Sequence, residues 1–303
     1  MKPSKPDLAG IAATVQRIGV LLAAGTAPVA AWQYLGERGI VSAVATSAAS
    51  GFAIPDAIAD ACAGLLSRER IIWGAVAAAW FVASEAGAPL APTLLELSGA
   101  IRDLAQAQRE IAVALASPAA TARLVLVLPV VGLLFGTFLG FNTIGTLLTT
   151  AIGWACLILG TGLLIVAARW NRRMVRSAEP RNATPGLELD LLAIAVSGGG
   201  ALDRAQATVI EALARFLNGE TTPDPAVDLI LDLSRRAGVP AAALLRSEAV
   251  ESRREARAAA AEQAQALSVR LMIPLGLCIL PAFMVLSVVP LVVTVLGSTS
   301  LRF

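Results

Sequence analysis

The sequence predicts an all-α integral membrane protein, with two helical-bundle cytoplasmic modules that form an internal repeat and three transmembrane helices. Of its 303 residues, 56% are hydrophobic and only 15% are charged, which is more apolar residue than a soluble domain normally buries. The apolar residues are concentrated in two long uncharged runs, at 124–168 and at 271–301. Outside these runs apolar residues return at steps of three and four, and no stretch alternates as a strand does.

The two uncharged runs define the predicted spans. The first run is long enough for two helices, since each needs about 20 apolar residues to cross a bilayer, and its weakest part at 141–145 suits a turn. The second run gives one span with Pro274, Pro281 and Pro290 inside it, and we interpret each proline as a kink. The predicted segments are, in order, cytoplasmic module 1 at 1–122, the first span at 123–140, an external turn at 141–145, the second span at 146–168, cytoplasmic module 2 at 169–270, the third span at 271–296 and an external tail at 297–303.

Arginine residues predict the orientation of these spans. Several of them crowd the exit of the second span, whereas the turn at 141–145 carries no charge. The positive-inside rule therefore predicts a multi-pass protein of the cell (inner or plasma) membrane with a cytoplasmic N-terminus and an external C-terminus. We interpret the cluster as a topology anchor beside the anionic head groups of the lipid bilayer, and docking of an acidic partner is the alternative. Its members are Arg169, Arg172, Arg173 and Arg176.

The two modules share the order of their helix-terminating residues. An Ala-Gly-x-Pro turn at 86–89 is followed by a long helix and a membrane entry, and the same turn recurs at 237–240. Earlier in each module an apolar helix ends at a glycine break. Glycine suits the end of a helix and proline suits the first turn of the next, so the pattern predicts helical hairpins. The turn and repeat positions are Gly25, Pro28, Gly87, Pro89, Gly199, Gly238 and Pro240.

Glycine recurs every four residues along one face of the first predicted span, at Gly132, Gly136 and Gly140. This spacing lets two helices approach backbone to backbone. The contact is either packing within one subunit or an interface between subunits, and the sequence leaves both interpretations open.

The residue types present exclude several chemistries. There is no histidine, and the only lysines are Lys2 and Lys5, so the chain has no Ser-His-Asp arrangement, no HExxH zinc site and no Walker A lysine. The glycines at 198–200 look like a phosphate-binding loop, but the chain offers no parallel strands for one, and we interpret them as a helix turn. We therefore predict no catalytic residue, no cofactor and no metal.

Charged side chains in the modules are interpreted as solvated helix faces. The stretch 244–268 mixes Glu and Arg, and Glu188 and Asp190 stand on a short helical segment. The apolar segment 71–83 is too short for a span and predicts a buried helix. A net charge of +2, without a stretch that interleaves basic and aromatic residues, predicts no nucleic-acid partner.

With this order of modules, Ala-Gly-x-Pro turns and spans, the chain resembles the type II secretion system F family, the inner-membrane platform proteins of type II secretion and type IV pilus machines. The sequence at 270–283 is similar to the last span of the Tad (Flp) pilus branch in actinobacteria. The resemblance implies all-α modules, with 169–270 as a type II secretion system F domain, and no enzymatic activity. It also implies contact with a cytoplasmic secretion ATPase, with pilin or pseudopilin subunits, and with a second platform-type membrane protein or another copy of itself in an oligomer.

The predicted function is that of a platform protein that couples the ATPase to pilin extraction and filament assembly. The alternative from another class is a membrane permease subunit of a transporter powered by a separate ATPase. Only three predicted spans, with about two-thirds of the chain outside the bilayer, count against the permease.

Overall fold

The computed structural model describes residues 7–36, 39–138, 143–177, 184–217, 226–290 and 292. Every regular element in these ranges is helical, and no strand occurs among them, which confirms the all-α prediction for the described part of the chain. The chain divides into two compact units. Unit 1 consists of Met1–Gln108 and Pro180–Ala258, and unit 2 consists of Arg109–Glu179 and Ala259–Phe303.

The helices follow one another with short connections. In the first half of the chain they are α1 (Leu8–Ala23), α2 (Pro28–Leu35), α3 (Gly39–Ala49), α4 (Ile54–Ala61), α5 (Ser67–Ala86), α6 (Leu90–Phe138), α7 (Thr143–Thr149) and α8 (Ala151–Ser177). In the second half they are α9 (Leu187–Ser197), α10 (Leu202–Leu217), α11 (Ala226–Ala237), α12 (Ala241–Arg270), α13 (Met272–Pro274) and α14 (Leu280–Phe283). Two π-helical segments, Leu275–Ile279 and Met284–Val288, lie before and after α14.

The two Ala-Gly-x-Pro turns end their helices in different ways. Gly87 follows α5 with φ +67°, and the N–H of Ala88 donates to the carbonyl of Ala83 at 2.9 Å in a Schellman motif. Gly238 follows α11 with the same φ, but its own N–H donates to the carbonyl of Ser234 at 2.9 Å, which is the simpler left-handed cap. Both glycines thus end a helix, with different hydrogen bonds.

The remaining turn positions also lie between helices. Gly25, with φ +85°, stands between α1 and α2, and Pro28 is the first residue of α2. Gly199, with φ +83°, follows α9. Pro89 and Pro240 immediately precede α6 and α12, and their carbonyls accept hydrogen bonds from the first turns of those helices.

Helix α5 lies at the centre of unit 1. It carries the predicted buried segment 71–83, and its bulky residues Ile72, Trp73, Val76 and Trp80 are buried together with most of its alanines, which confirms that prediction. The short alanine side chains let neighbouring helices approach closely, and α9 and α10 both pack on α5. A Cβ at Gly198 would overlap the carbonyl of Ala86, so the glycine break after α9 lies directly against the end of α5.

One hydrophobic core serves both predicted modules. It contains Ile18, Trp32 and Ile58 from the first region of sequence and Leu191 and Val209 from the second. The structure therefore does not show a separate, self-contained bundle for each module. The physical reason is that α5 is apolar around its whole circumference and must be covered by helices from both regions.

Two described helices are long and apolar enough to cross a membrane. The first, Ala151–Asn171, corresponds to the second predicted span, although α8 begins at Ala151 and not at 146. The second, Ala241–Val288, includes the third predicted span up to the end of the second π-helical segment. The first predicted span lies in the C-terminal part of α6, with positions 139 and 140 outside the described residues. A count of three spans is therefore not established.

Large apolar side chains are exposed along the candidate spans of unit 2. On α8 they include Ile152, Ile158, Leu159 and Val166. A contiguous exposed apolar surface of this kind marks contact with lipid or with another protein. It agrees with a membrane location for these helices.

Candidate functional site

A charged groove lies in unit 1 between helices α6, α9 and α12, and it encloses about 450 Å³. Its floor is apolar, since it is formed by side chains such as Leu97, Leu187, Leu191 and Ile194, each less than one-tenth exposed. Its rim is charged. The combination of an apolar floor with a few polar groups is typical of a binding site.

One wall of the groove is basic and the other side is acidic. Helix α12 contributes four arginines, and these are Arg246, Arg253, Arg254 and Arg257. Opposite them, α6 contributes Glu96 and Asp103, and α9 contributes Asp190. The sequence did not predict this site, because the stretch 244–268 and Asp190 were interpreted as solvated.

Two ion pairs cross the groove. Arg253 Nη1 lies 2.5 Å from Asp190 Oδ2, and their side chains are only 17% and 23% exposed. Arg246 Nε lies 3.2 Å from Glu96 Oε2, and its Nη2 donates to Ser197 Oγ at 3.4 Å. These pairs join the acidic side, which comes from both halves of the sequence, to the basic wall of α12.

Asp190 is the most perturbed carboxyl group of the groove. Burial raises its pKa above the ordinary value of 3.8, and the carboxylate of Glu96 acts in the same direction. The guanidinium groups of Arg253 and Arg246 oppose this rise. Burial is the larger effect, so the interpretation of Asp190 as a solvated residue is wrong.

The predicted arginine cluster lies on α8 at the end of a candidate span. Arg169 is within Ala151–Asn171 and is exposed, and Arg173 is exposed just beyond it. Arg172 and Arg176 continue the same helix, but their side chains lie outside the described residues. The cluster does not contribute to the groove.

The predicted intramembrane glycines and prolines lie in unit 2. Gly132 on α6 faces Ser287 and Phe283, and a Cβ there would stand 2.8 Å from Ser287 Oγ. Gly136 is also on α6, and Gly140 lies outside the described residues. A fourth glycine, Gly160 on α8, lies so close to Leu286 that a Cβ there would overlap the leucine side chain. The sequence did not predict this contact, because Gly160 belongs to no four-residue repeat.

The predicted proline kinks coincide with a change of helix type. Pro274 precedes the first π-helical segment, Pro281 lies in the short α14 between the two segments, and Pro290 follows the second. A proline has no N–H to donate along the helix, and a π turn is one way in which the chain can rearrange its carbonyl partners. The sequence did not predict the π segments.

Comparison with protein families gives one match. Residues 14–138 match the family described as type II secretion system (T2SS), protein F. The match covers 125 of the 303 residues, so it shows a similarity of this region to protein F. The match begins inside α1 and ends at the last residue of α6. It therefore falls on predicted module 1 and the first span, and the assignment of the same domain to 169–270 stays a prediction.

The similarity connects residues 14–138 broadly with secretion and pilus platform proteins. This similarity and the two apolar helices together indicate a membrane protein. No curated protein and no solved structure matches the chain.

Proposed function

We propose that this chain is a non-enzymatic inner-membrane platform protein of a Tad (Flp) type pilus or a related type II secretion machine. In this role it couples a cytoplasmic secretion ATPase to pilin extraction and filament assembly, and it works as an oligomer. The match of residues 14–138 to protein F carries the proposal.

The residues of the chain suit a protein that leaves nucleotide chemistry to a partner. It has no histidine, and no lysine occurs after Lys5, so these 303 residues hold no Walker A lysine and we assign the ATPase to a partner protein. The apolar faces of α8 and of the helix up to Val288 supply a surface for lipid or for apolar pilin segments. Unit 1 carries the charged groove and is the part that we assign to the cytoplasm.

Photo-crosslinking in living cells tests the proposal. p-Benzoylphenylalanine is placed at Tyr34, which is 76% exposed in unit 1, and at Phe138, which is 87% exposed in unit 2. Both replacements keep an aromatic side chain, so neither disturbs a packed core. We expect a secretion ATPase to be captured from Tyr34 and pilin from Phe138. Capture of a transport ATPase with substrate-binding proteins, and no pilin, would replace the platform with a permease.

Cysteine accessibility tests the orientation independently. In a chain without its three native cysteines, Leu229→Cys on α11 and Thr149→Cys at the end of α7 each provide one exposed thiol. We expect a membrane-impermeant maleimide to label Thr149→Cys in intact cells and Leu229→Cys only after permeabilisation. The opposite pattern would invert the proposed topology.

A further inference from the structure

Helix α8 has a tryptophan near each end of its uncharged part. Trp154 lies in the first turn of the helix and Trp170 lies just after the uncharged part, and their side chains are 53% and 40% exposed. Tryptophan is enriched where a membrane meets water, because its ring is apolar and its N–H is polar. The two residues therefore mark candidate positions for the two membrane–water interfaces of α8.

The distance between the two tryptophans is short for a membrane span. They stand 16 residues apart, which is roughly 24 Å along an α-helix. The uncharged part of α8, residues 151–168, is about 27 Å long by the same measure. The hydrocarbon core of a typical bilayer is about 30 Å thick. A tilt of the helix would shorten both lengths along the membrane normal, so tilting increases the difference.

Polar contacts fix the beginning of α8. Thr150 Oγ1 accepts a hydrogen bond from the N–H of Gly153 at 3.0 Å, as an N-cap side chain does. The indole N–H of Trp154 donates to the carbonyl of Leu148 in α7, also at 3.0 Å. The first N–H groups of a helix have no partner within it and are costly to place in hydrocarbon, so this end of α8 belongs at the interface.

Arginines mark the other end of the apolar part. Arg169 is exposed immediately before Trp170, and Arg173 is exposed one turn later. An arginine can extend from the edge of the hydrocarbon to the head groups, whereas its charge is costly at the bilayer centre. Between Trp154 and Arg169 the helix carries no charged residue, and large exposed apolar side chains occupy this interval, namely Ile158, Leu159, Ile165 and Val166. The part of α8 that suits hydrocarbon is thus bounded at both ends.

The other candidate span does not set the thickness of unit 2. Its sequence stays uncharged from 271 to 301, and it contains Pro274, Pro281 and two π-helical segments. A span that is too long can tilt or kink, whereas a span that is too short cannot lengthen. Helix α8 packs against these segments, so the two spans share one unit. The shorter helix therefore determines which bilayer fits.

We propose that unit 2 fits a bilayer thinner than average, with a hydrocarbon core matched to the roughly 24 Å between Trp154 and Trp170, and that it thins an ordinary bilayer around α8. The inference rests on the membrane location of α8, which is part of the proposed function. In a platform protein, a thinner bilayer would shorten the apolar path along which a pilin segment leaves the lipid.

Bilayers of graded thickness test the inference. The full chain is reconstituted in vesicles of phosphatidylcholines whose monounsaturated chains increase in length from myristoleoyl through palmitoleoyl and oleoyl to erucoyl. Circular dichroism during heating gives the Tm in each. We expect the highest Tm with myristoleoyl or palmitoleoyl chains and a progressive fall with the longer chains, because the mismatch with α8 grows.

A substitution that lengthens the apolar part of α8 should move this maximum. Arg169→Leu extends the uncharged part from 151–168 to 151–171, which adds three residues or roughly 4.5 Å. We expect the highest Tm of this variant with longer chains than in the wild type. Arg236→Leu is the matched control, since it makes the same change at an exposed arginine of α11 in unit 1 and should leave the maximum unchanged.

Fluorescence quenching by brominated phosphatidylcholines measures the depth of the two tryptophans. Trp154→Phe and Trp170→Phe each remove one emitter, so the difference from the wild type reports on that residue. We expect both tryptophans to be quenched more strongly by bromine near the head group than by bromine near the end of the acyl chains. The tryptophans in the core of unit 1 are buried and should be quenched little by either lipid, and these are Trp32, Trp73 and Trp80.

A Tm that is highest with oleoyl or longer chains, or a Tm that does not depend on chain length, would overturn the inference. Stronger quenching by the deep bromines, or an unchanged maximum in Arg169→Leu, would do the same. If thin bilayers are preferred while Phe138 captures no pilin, the inference stands and the proposed function fails. Capture of pilin by a chain that is most stable with oleoyl or longer chains would refute the inference alone.

Discussion

Gly74 on α5 lies against the backbone of Phe216 on α10, so closely that a Cβ at position 74 would stand 2.5 Å from the Phe216 carbonyl oxygen. Nearby, Phe81 and Phe216 place their rings 5.7 Å apart, and the guanidinium of Arg215 lies 5.6 Å from the Phe81 ring and 5.4 Å from the Phe216 ring. Arg215 also pairs with Asp56 on α4 at 2.8 Å. This close contact joins helices from the two halves of the sequence within unit 1.

Gly74→Ala should destabilise unit 1. The obstacle is a backbone oxygen, which cannot rotate away, so either α5 or α10 must move. Overpacking of this kind costs about 1–3 kcal/mol, whereas alanine in place of glycine within a helix returns only about 1 kcal/mol. We expect a lower Tm in thermal unfolding of the purified protein. Gly99→Ala is the matched control, because its Cβ meets no atom within 4 Å and its Tm should stay equal or rise. Equal Tm changes in both variants would contradict the close contact.

The local elements of this fold could be predicted from the sequence, whereas the contacts between elements distant in sequence could not. Gly25, Gly87, Gly199 and Gly238 end helices because a left-handed residue at that position strongly favours glycine, a property that one residue reveals. The burial of 71–83 followed from a run of apolar residues without a polar face. The shared core could not be predicted in this way, because no local pattern indicates that α5 packs against α9 and α10, which lie more than 100 residues away in the sequence.

The groove was missed for the same reason. Glu and Arg at mixed spacing on α12 have the pattern of a solvated helix, and only the approach of α6 and α9 converts its arginines into a wall facing Glu96 and Asp190. Similarly, the four-residue repeat that includes Gly132 predicted close helix packing in the membrane region. The tight contact at Gly160 belongs to no such repeat, so the sequence did not predict it. The spacing of residues predicts the faces of a single helix. A site between helices can be predicted only when the packing of those helices is known.

Asp190 should make unit 1 less stable as the pH rises. Its pKa is raised in the folded state, chiefly by burial and also by Glu96, against the opposing effect of Arg253 and Arg246. The folded state therefore binds more protons than the unfolded chain between pH 3.8 and the raised pKa. The contribution of Asp190 to the free energy of unfolding falls across that interval and is flat above it.

The variant Asp190→Asn removes this contribution. We expect the Tm of the wild type, relative to the variant, to fall as the pH is increased from about 4 and then to level off. Asp232→Asn on α11 removes an exposed carboxylate and should not reproduce the fall. A wild-type advantage that grows with pH would mean that Arg253 outweighs burial and that the pKa of Asp190 is lowered in the folded state.

Cys62 should be almost inert until the protein unfolds. Burial raises the pKa of its thiol from 9.0 to about 12, with a smaller contribution from the carboxylate of Glu69. Only the thiolate reacts with alkylating reagents, so a shift of this size lowers the reactive fraction at pH 8 by roughly a thousandfold. The measurement is iodoacetamide labelling of a variant that retains Cys62 alone, with Cys156 and Cys278 changed to alanine.

The pH dependence of that labelling distinguishes a raised pKa from simple steric protection. In the folded protein the rate should increase about tenfold per pH unit from 8 to 10, whereas in denaturant it should level off above pH 9. Glu69→Gln should increase the folded-state rate slightly, because it removes the nearby negative charge. A folded-state rate that levels off near pH 9 would show an ordinary thiol.

Gly160→Ala should weaken the packing of α8 against the second π-helical segment. A Cβ at Gly160 would overlap the Leu286 side chain, which is itself buried, so the leucine must adopt another rotamer or the helices must separate. We expect a Tm lowered by a few degrees in detergent, which corresponds to an overpacking cost of about 1–3 kcal/mol. Gly162→Ala is the matched control two residues along the same helix, since its Cβ meets no atom within 4 Å and should be tolerated. If the compensating substitution Leu286→Ala restores the Tm of Gly160→Ala, the two side chains interact directly, because additive losses are expected only for residues that do not touch.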